Sequence, residues 1–235
     1  MAYGVKLKVW GDYACFTRPE MKVERVTYDV ITPSAARGIL EAIYWKPEMR
    51  WVVTRLHVLN PIRFTHVRRN ELDCKIPAGN VKKAMGGQKI ELGIAVEEHR
   101  QQRAAMVLKD VCYGIEAYVE VVKHEGPEDK PEAKHLDQFN RRARSGEYFH
   151  HPYLGCREFP AHFELMEAFP ACHESLRGER DLGLMLHDIV FVPDKNGPIV
   201  ESNQGRRLRA EPRFFRCLMR DGIIEVPLLQ QEAQP

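Results

Sequence analysis

The chain has 235 residues, 44% of them hydrophobic, a formal net charge of +2 and a pI near 8.2. That length is one large domain or two small ones with room for a sizeable core, and the charge excludes a polycation, so any nucleic-acid contact must come from local clusters. No apolar run reaches the roughly 20 residues a membrane span needs, and the six cysteines lack a C-x-x-C pair in a chain that opens without an apolar signal segment. Reduced thiols, a cytoplasmic location and no disulfides are therefore expected.

Val5, Leu7 and Val9 alternate with Lys6, Lys8 and Trp10, the period of a half-buried strand that should end at Gly11-Asp12. Thr32-Pro33 then reads as an N-cap followed by proline at the first helical position, and Ala36, Ile39, Leu40 and Ile43 repeat at helical spacing. The spacing predicts a helix from Pro33 to Trp45, stopped before Lys46-Pro47 because a residue preceding proline is pushed out of helical space. Tyr44 would sit at its end, where a side chain can face a cleft.

Trp51 to Val67 reads as two strand-like pieces broken at Asn60-Pro61, the second made basic by Arg63, His66, Arg68 and Arg69. Cys74 to Gln102, punctuated by Pro77, Gly79, Gly86 and Gly87, is expected to be an insertion or loop. From Val111 to Val121 the alternation of apolar residues is the clearest in the chain, and a polar loop, His124 to Lys130, follows it.

Pro131 opens a second helix on which Leu136, Phe139 and Ala143 form an apolar stripe, ending at Gly146. Its other faces are wet and basic, with Lys134, Arg141, Arg142 and Arg144 set against Asp137 and with His135 beside Lys134. Such a helix offers cations to a polyanion. Tyr153 to Phe159 and Leu182 to Val192 are further strand candidates, and Asp194 to Gly197 is a turn. Gly205 to Arg220 carries six arginines, among them Arg206, Arg207 and Arg209, with Phe214-Phe215 between them. A hairpin turn at Arg220-Asp221-Gly222 leads to a last strand, Ile223 to Val226, and the tail Gln230 to Pro235 is polar.

Strand, helix, strand pair, then strand, helix, strand predicts an α+β sheet of ferredoxin-like, RRM-related type over residues 1–150, with a smaller β-rich part over 151–235. Arginines interleaved with aromatics suit single-stranded RNA, where guanidiniums meet phosphates and flat groups stack on bases. Arg63, Arg68, Arg69, Arg141, Arg142, Arg144, Arg206, Arg207, Arg209 and Phe214 are the candidate contacts. His150-His151, Cys172-His173 and Cys156 lack metal-ligand spacing. The acidic residues form no D-x-D pair for two metal ions, and neither a phosphate-binding G-x-x-x-x-G-K-[ST] loop nor a G-x-S-x-G elbow is present.

Five short strings, in order, bring a family into view: Gly11 to Thr17, Ile43-Tyr44-Trp45-Lys46-Pro47, Leu108 to Tyr113, Lys134-His135, and Tyr153 to Glu158. Together they resemble the type I-C CRISPR-associated Cas-five-d proteins of the RAMP superfamily. The resemblance implies metal-independent cleavage of CRISPR precursor RNA at the repeat hairpin, with the protein then held on the crRNA 5′ handle among other Cascade subunits. It also implies Tyr44, Lys134 and His135 as catalytic residues, no cofactor, and double-stranded DNA as a further candidate partner. A relative that keeps the handle but has lost cleavage would share the same strings, and His150 and His151 stand as alternatives to His135.

Overall fold

The computed structural model describes residues 4–21, 23–122, 131–194, 199–200 and 206–229. The expected polar loop from His124 to Lys130, most of the turn ending at Gly197 and the tail from Gln230 lie outside these residues. The architecture is a mixed α/β fold, mostly antiparallel sheet with few helices. A nine-stranded sheet runs in the order β5-β1-β4-β2-β9-β8-β6, with β3 paired to β4 and β7 to β8. The strands are β1 (Gly4–Ala14), β2 (Met49–Val58), β3 (Phe64–Leu72), β4 (Arg100–Val121), β5 (His162–Leu165), β6 (Glu179–Pro193), β7 (Ile199–Val200), β8 (Arg206–Arg220) and β9 (Ile223–Glu225).

β1 behaves as its alternation demands: Val5, Leu7 and Val9 are buried, and the strand pairs antiparallel with β4. It does not end at Gly11. Its ladder to β4 continues to Ala14 opposite Leu108, and Gly11 marks a close approach, since a Cβ there would lie 2.7 Å from Leu154 Cδ1 and 2.9 Å from the Pro160 carbonyl. The glycine admits a neighbour and leaves the strand intact.

Helix α1 (Pro33–Ile43) starts where the N-cap predicts, with Thr32 Oγ1 accepting from the Ala35 N–H at 3.2 Å. It stops two residues before Trp45, because Tyr44 swings into extended backbone (φ −156°, ψ 127°). Three carbonyls at this end find donors from outside the helix: Phe149 N on Ala42 O at 2.8 Å, Arg142 Nη1 on Ile43 O at 3.1 Å, and Trp51 Nε1 on Tyr44 O at 2.9 Å. Each donor comes from a different part of the chain, so the end of α1 is clamped in place.

The stretch from Cys74 to Gln102, expected as a loop, is an arm with its own structure. β3 and the first part of β4 pair from Phe64–Leu108 out to Leu72–Arg100, and the tip carries α2 (Ala78–Met85) and a single turn, α3 (Val96–His99). Neither helix buries a residue. β4 bends from arm to core at Asp110, where φ is +54° and the Asn60 side chain donates to the Asp110 carbonyl at 2.8 Å.

Helix α4 (Pro131–Arg144) lies on the sheet, buries Phe139 completely, and sets that ring edge-on to Trp51 of β2 with centroids 4.7 Å apart. Burying such a side chain contributes roughly 1.5–3 kcal/mol. The strand expected over Tyr153 to Phe159 is absent: the segment is a turn-rich loop with one bridge, Tyr153 to Pro160, because Gly155 takes a left-handed conformation (φ +84°) that no strand accommodates. The pairing strand comes just after it, as β5 along β1. The hairpin turn at Asp221-Gly222 forms as read, and β9 joins β8 to β2, so a single sheet runs from the first part of the chain into the second.

Candidate active site

Two elements meet where α1 ends and α4 begins. The extended backbone at Tyr44 turns its side chain toward the first turns of α4, and there the Tyr44 hydroxyl lies 2.9 Å from His135 Nδ1. Both groups are buried, His135 to 4% exposure and Tyr44 to 7%. A buried imidazole needs hydrogen-bond partners, and the phenol is one. The sequence had set His135 on a wet face beside the Leu136, Phe139 and Ala143 stripe. The buried stripe is His135, Phe139 and Ala143, spaced i, i+4, i+8, with Leu136 only half-buried.

The pair forms the floor of a cleft of about 400 Å³ whose remaining walls are Lys46, Glu48, Lys134, Gln138 and Arg142. Lys134 is exposed at the rim. Arg142 reaches over Tyr44, its guanidinium carbon 5.7 Å from the ring centroid, while holding the Ile43 carbonyl. Glu48 Oε1 stands 4.0 Å from His135 Nε2, the ring nitrogen opposite the one that meets Tyr44. Burial holds the Tyr44 phenol above its ordinary pKa and the Glu48 charge adds to that, while Lys134 and Arg142 pull the other way. The hydroxyl therefore keeps its proton at neutral pH and can donate it in a hydrogen bond. A cleft with a buried Tyr–His pair, a rim lysine and an arginine suits proton transfer beside a bound anion.

The fold thus brings Tyr44, Lys134 and His135 into one cleft, together with Arg142 from the expected RNA contacts. Glu48, Lys46 and Gln138 complete it and were not singled out in the sequence. Gln138 carried a signal, since it lies four residues from both Lys134 and Arg142 on one face of α4.

The other candidate contacts sit elsewhere. Arg141 bonds Gln138 at 3.0 Å, and Arg144 is exposed on the last turn of α4. Arg63 faces Asp110 at 3.6 Å just before β3. Arg68 and Arg69 point to opposite sides of β3, Arg68 exposed and Arg69 ion-paired with Glu158. Arg206 starts β8, where Arg207 is exposed and Arg209 meets Glu211 at 2.5 Å and Asp194 at 3.8 Å. Farther along, Arg213 pairs with Glu211, Arg216 with Asp181 and Arg220 with Glu179. Phe214 is 45% exposed, whereas Phe215 packs on the core.

His150 and His151 are exposed and do not line the cleft, although the Phe149 and His150 backbone bonds to the end of α1. One group of possible metal ligands occurs among the described residues, Asp73, Cys74 and His99, with ligand atoms within 4.8 Å of one another. It lies at the arm, away from the Tyr44–His135 cleft. No described helix is long and apolar enough to cross a membrane.

The family model described as CRISPR-associated protein (Cas_Cas5) matches residues 4–227. The chain belongs to the Cas5d family. A relative from Mannheimia succiniciproducens, named CRISPR pre-crRNA endoribonuclease Cas5d, is 49% identical over 232 residues, which is 97% of this chain and 96% of that protein. A second, of the same name and from Thermus thermophilus, is 45% identical over 229 residues, 95% of this chain and 91% of that one. Among solved structures, that of a CRISPR-associated protein shares the fold, with a TM-score of 0.62 and 22% identity over 97% of this chain and 93% of the other.

Proposed function

We propose that this member of the Cas5d family is an endoribonuclease that cuts CRISPR precursor RNA at the repeat hairpin, without a metal ion, and afterwards keeps the 5′ handle of the product as a subunit of a Cascade complex. The observation that carries the reading is the buried hydrogen bond between Tyr44 and His135 in a cleft rimmed by Lys134. The names of the two curated relatives support the substrate. In this reading β1, β4 and β2, with α1 and α4, form a ferredoxin-like catalytic part over residues 1–150, while β5, which pairs with β1, and the β6/β8 hairpin belong to a handle-binding part over 151–235. The protein works in the cytoplasm, where contact with double-stranded DNA would come through the complex.

The chemistry asks for three things: removal of a proton from the 2′-hydroxyl next to the scissile phosphate, delivery of a proton to the departing 5′-oxygen, and compensation of the charge that builds on the five-coordinate phosphorus. With Tyr44 engaging Nδ1, His135 offers Nε2 to the cleft for one of the two proton transfers, a role imidazole fills near neutral pH. Lys134 supplies a compact positive charge for the phosphorane. Arg142 and the clamped end of α1 fix the tyrosine, which orients the imidazole.

The test mixes purified protein with a labelled repeat-type RNA hairpin in excess EDTA. The expected products carry a 2′,3′-cyclic phosphate and a 5′-hydroxyl, and a single 2′-deoxy substitution before the cut abolishes cleavage while leaving binding nearly intact. Cleavage of the deoxy substrate would sink the mechanism; binding without any cutting would reduce the protein to an RNA-holding subunit.

A further inference from the structure

Two of the strings that mark this chain, Gly11 to Thr17 and Tyr153 to Glu158, take no part in the cleft, yet the fold brings them face to face. The Cys15 N–H donates to the Leu154 carbonyl at 3.0 Å, and Gly155 sits in left-handed backbone where a Cβ would overlap the Cys15 carbonyl. This close approach sets Cys156 Sγ 3.6 Å from the Cys15 carbonyl oxygen, to which its thiol donates, and makes the two cysteines neighbours. Cys15 is fully buried, with Thr17 Oγ1 3.5 Å from its sulfur, while Cys156 is half-buried.

Two guanidiniums stand near Cys156, each paired with carboxylates, Arg25 with Glu71 and Glu158 and Arg69 with Glu158. Arg25 Nη1 lies 4.0 Å from its sulfur. The hydrogen bond from Cys15, with Arg25, Thr17 and Arg69, draws the Cys156 pKa below the ordinary thiol value against the effect of burial. The same bond, reinforced by burial, pushes Cys15 upward. The pair thus divides into a half-buried sulfur whose pKa is lowered and a fully buried one whose pKa is raised. The other four cysteines lie on different elements: Cys74 beyond β3, Cys112 on β4, Cys172 before β6 and Cys217 on β8.

We propose that Cys15 and Cys156 are a dithiol that reacts with small hydroperoxides, Cys156 as the attacking sulfur and Cys15 as the resolving one. The Cys156 sulfur takes the terminal oxygen of the peroxide. The O–O bond breaks, the thiol proton goes to the leaving alkoxide to give an alcohol, or water from hydrogen peroxide, and Cys156 becomes a sulfenic acid. The Cys15 sulfur then attacks Cys156, forming the S–S bond and breaking the S–O bond; the departing hydroxide leaves as water with the Cys15 proton. Two thiols lose two protons and two electrons, and the peroxide gains them. A thiol reductant reverses the change. The product would staple the end of β1 to the loop before β5, fixing the stretch from which Tyr153 reaches toward His150.

The experiment treats the reduced full-length protein with a few equivalents of hydrogen peroxide, alkylates the remaining thiols, and reads intact mass and a peptide map. The expected result is loss of the mass of two hydrogens, restored by dithiothreitol, with one linked peptide joining Cys15 to Cys156. In Cys15→Ser the reaction stops at Cys156, where dimedone captures the sulfenic acid, and Cys156→Ser gives neither product. A wild-type map without that linked peptide, or with Cys156 paired to another cysteine, would overturn the proposal, and it decides the matter even if Cys15→Ser fails to fold.

Discussion

The Tyr44 hydroxyl and His135 Nδ1, 91 positions apart in sequence, lie 2.9 Å from each other in a buried hydrogen bond. That contact depends on three others: the turn of Tyr44 out of α1, the grip of Arg142 on the Ile43 carbonyl, and the packing of Phe139 against Trp51 that sets the rotation of α4. A helix rotated by one residue would present Lys134 or Leu136 to the phenol instead, since neighbouring side chains on a helix differ by about 100° in direction.

Alkaline pH should weaken the fold through its buried phenols. Tyr28, Tyr44 and Tyr113 all have pKa values raised above the ordinary tyrosine value, in each case chiefly by burial. A raised folded-state pKa means that the folded chain holds its protons longer than the unfolded one. The stabilisation is therefore complete below the unfolded value, about 10, and is lost as pH climbs above it. Denaturation midpoints from pH 8 to 11 should fall, and Tyr113→Phe should make the fall shallower. An unchanged slope in that variant would mean that Tyr113 does not contribute to the fall.

Gly155→Ala should be among the most damaging single methyl additions in the chain. The residue has φ +84°, and the new Cβ would meet the Cys15 carbonyl. Left-handed strain alone costs on the order of 1–3 kcal/mol, and the overlap adds to it. Thermal unfolding reads the loss. Gly38→Ala, where the space around the Cβ position is open, serves as the control.

Much of this fold was legible in the sequence because its signals are local. The alternation of β1, the Thr32 cap and Pro33, and the long apolar strand ending at Val121 all specify their elements within a dozen residues. The parts that stayed hidden lack such a signal. β5 is four residues long, too short to show a period, and the glycines around α2 mask a helix that buries nothing. The loop from Tyr153 to Phe159 has the composition of a strand, and only the left-handed Gly155 forbids one. In the site, the short strings marked Tyr44, Lys134 and His135, but Glu48 gave no local hint, since it joins them only through tertiary packing.

RNA affinity should respond differently to the two arginine groups. Neutralising Arg141, Arg142 and Arg144 should weaken binding and flatten its dependence on salt by roughly 0.7 units of logarithmic slope for each phosphate of a single strand that is no longer neutralised. The triple change at Arg206, Arg207 and Arg209 should have a smaller effect, because Arg209 is already matched by Glu211 and Asp194. Binding measured from low to high salt checks both, and an unchanged slope in the α4 triple variant would mean that those arginines face protein or solvent.

Proton transfer by His135, oriented by Tyr44, is tested most directly by single-turnover cleavage of a labelled repeat hairpin in EDTA, with RNA affinity measured alongside. His135→Ala should slow cutting by about 10² to 10⁴, the usual worth of general acid–base catalysis, while affinity changes little. Tyr44→Phe, which keeps the ring and removes only the hydroxyl bonded to Nδ1, should also slow cutting in a folded, RNA-binding protein. If both variants cut at the parental rate, the pair is not the catalytic centre, and His150 and His151 become the residues to test.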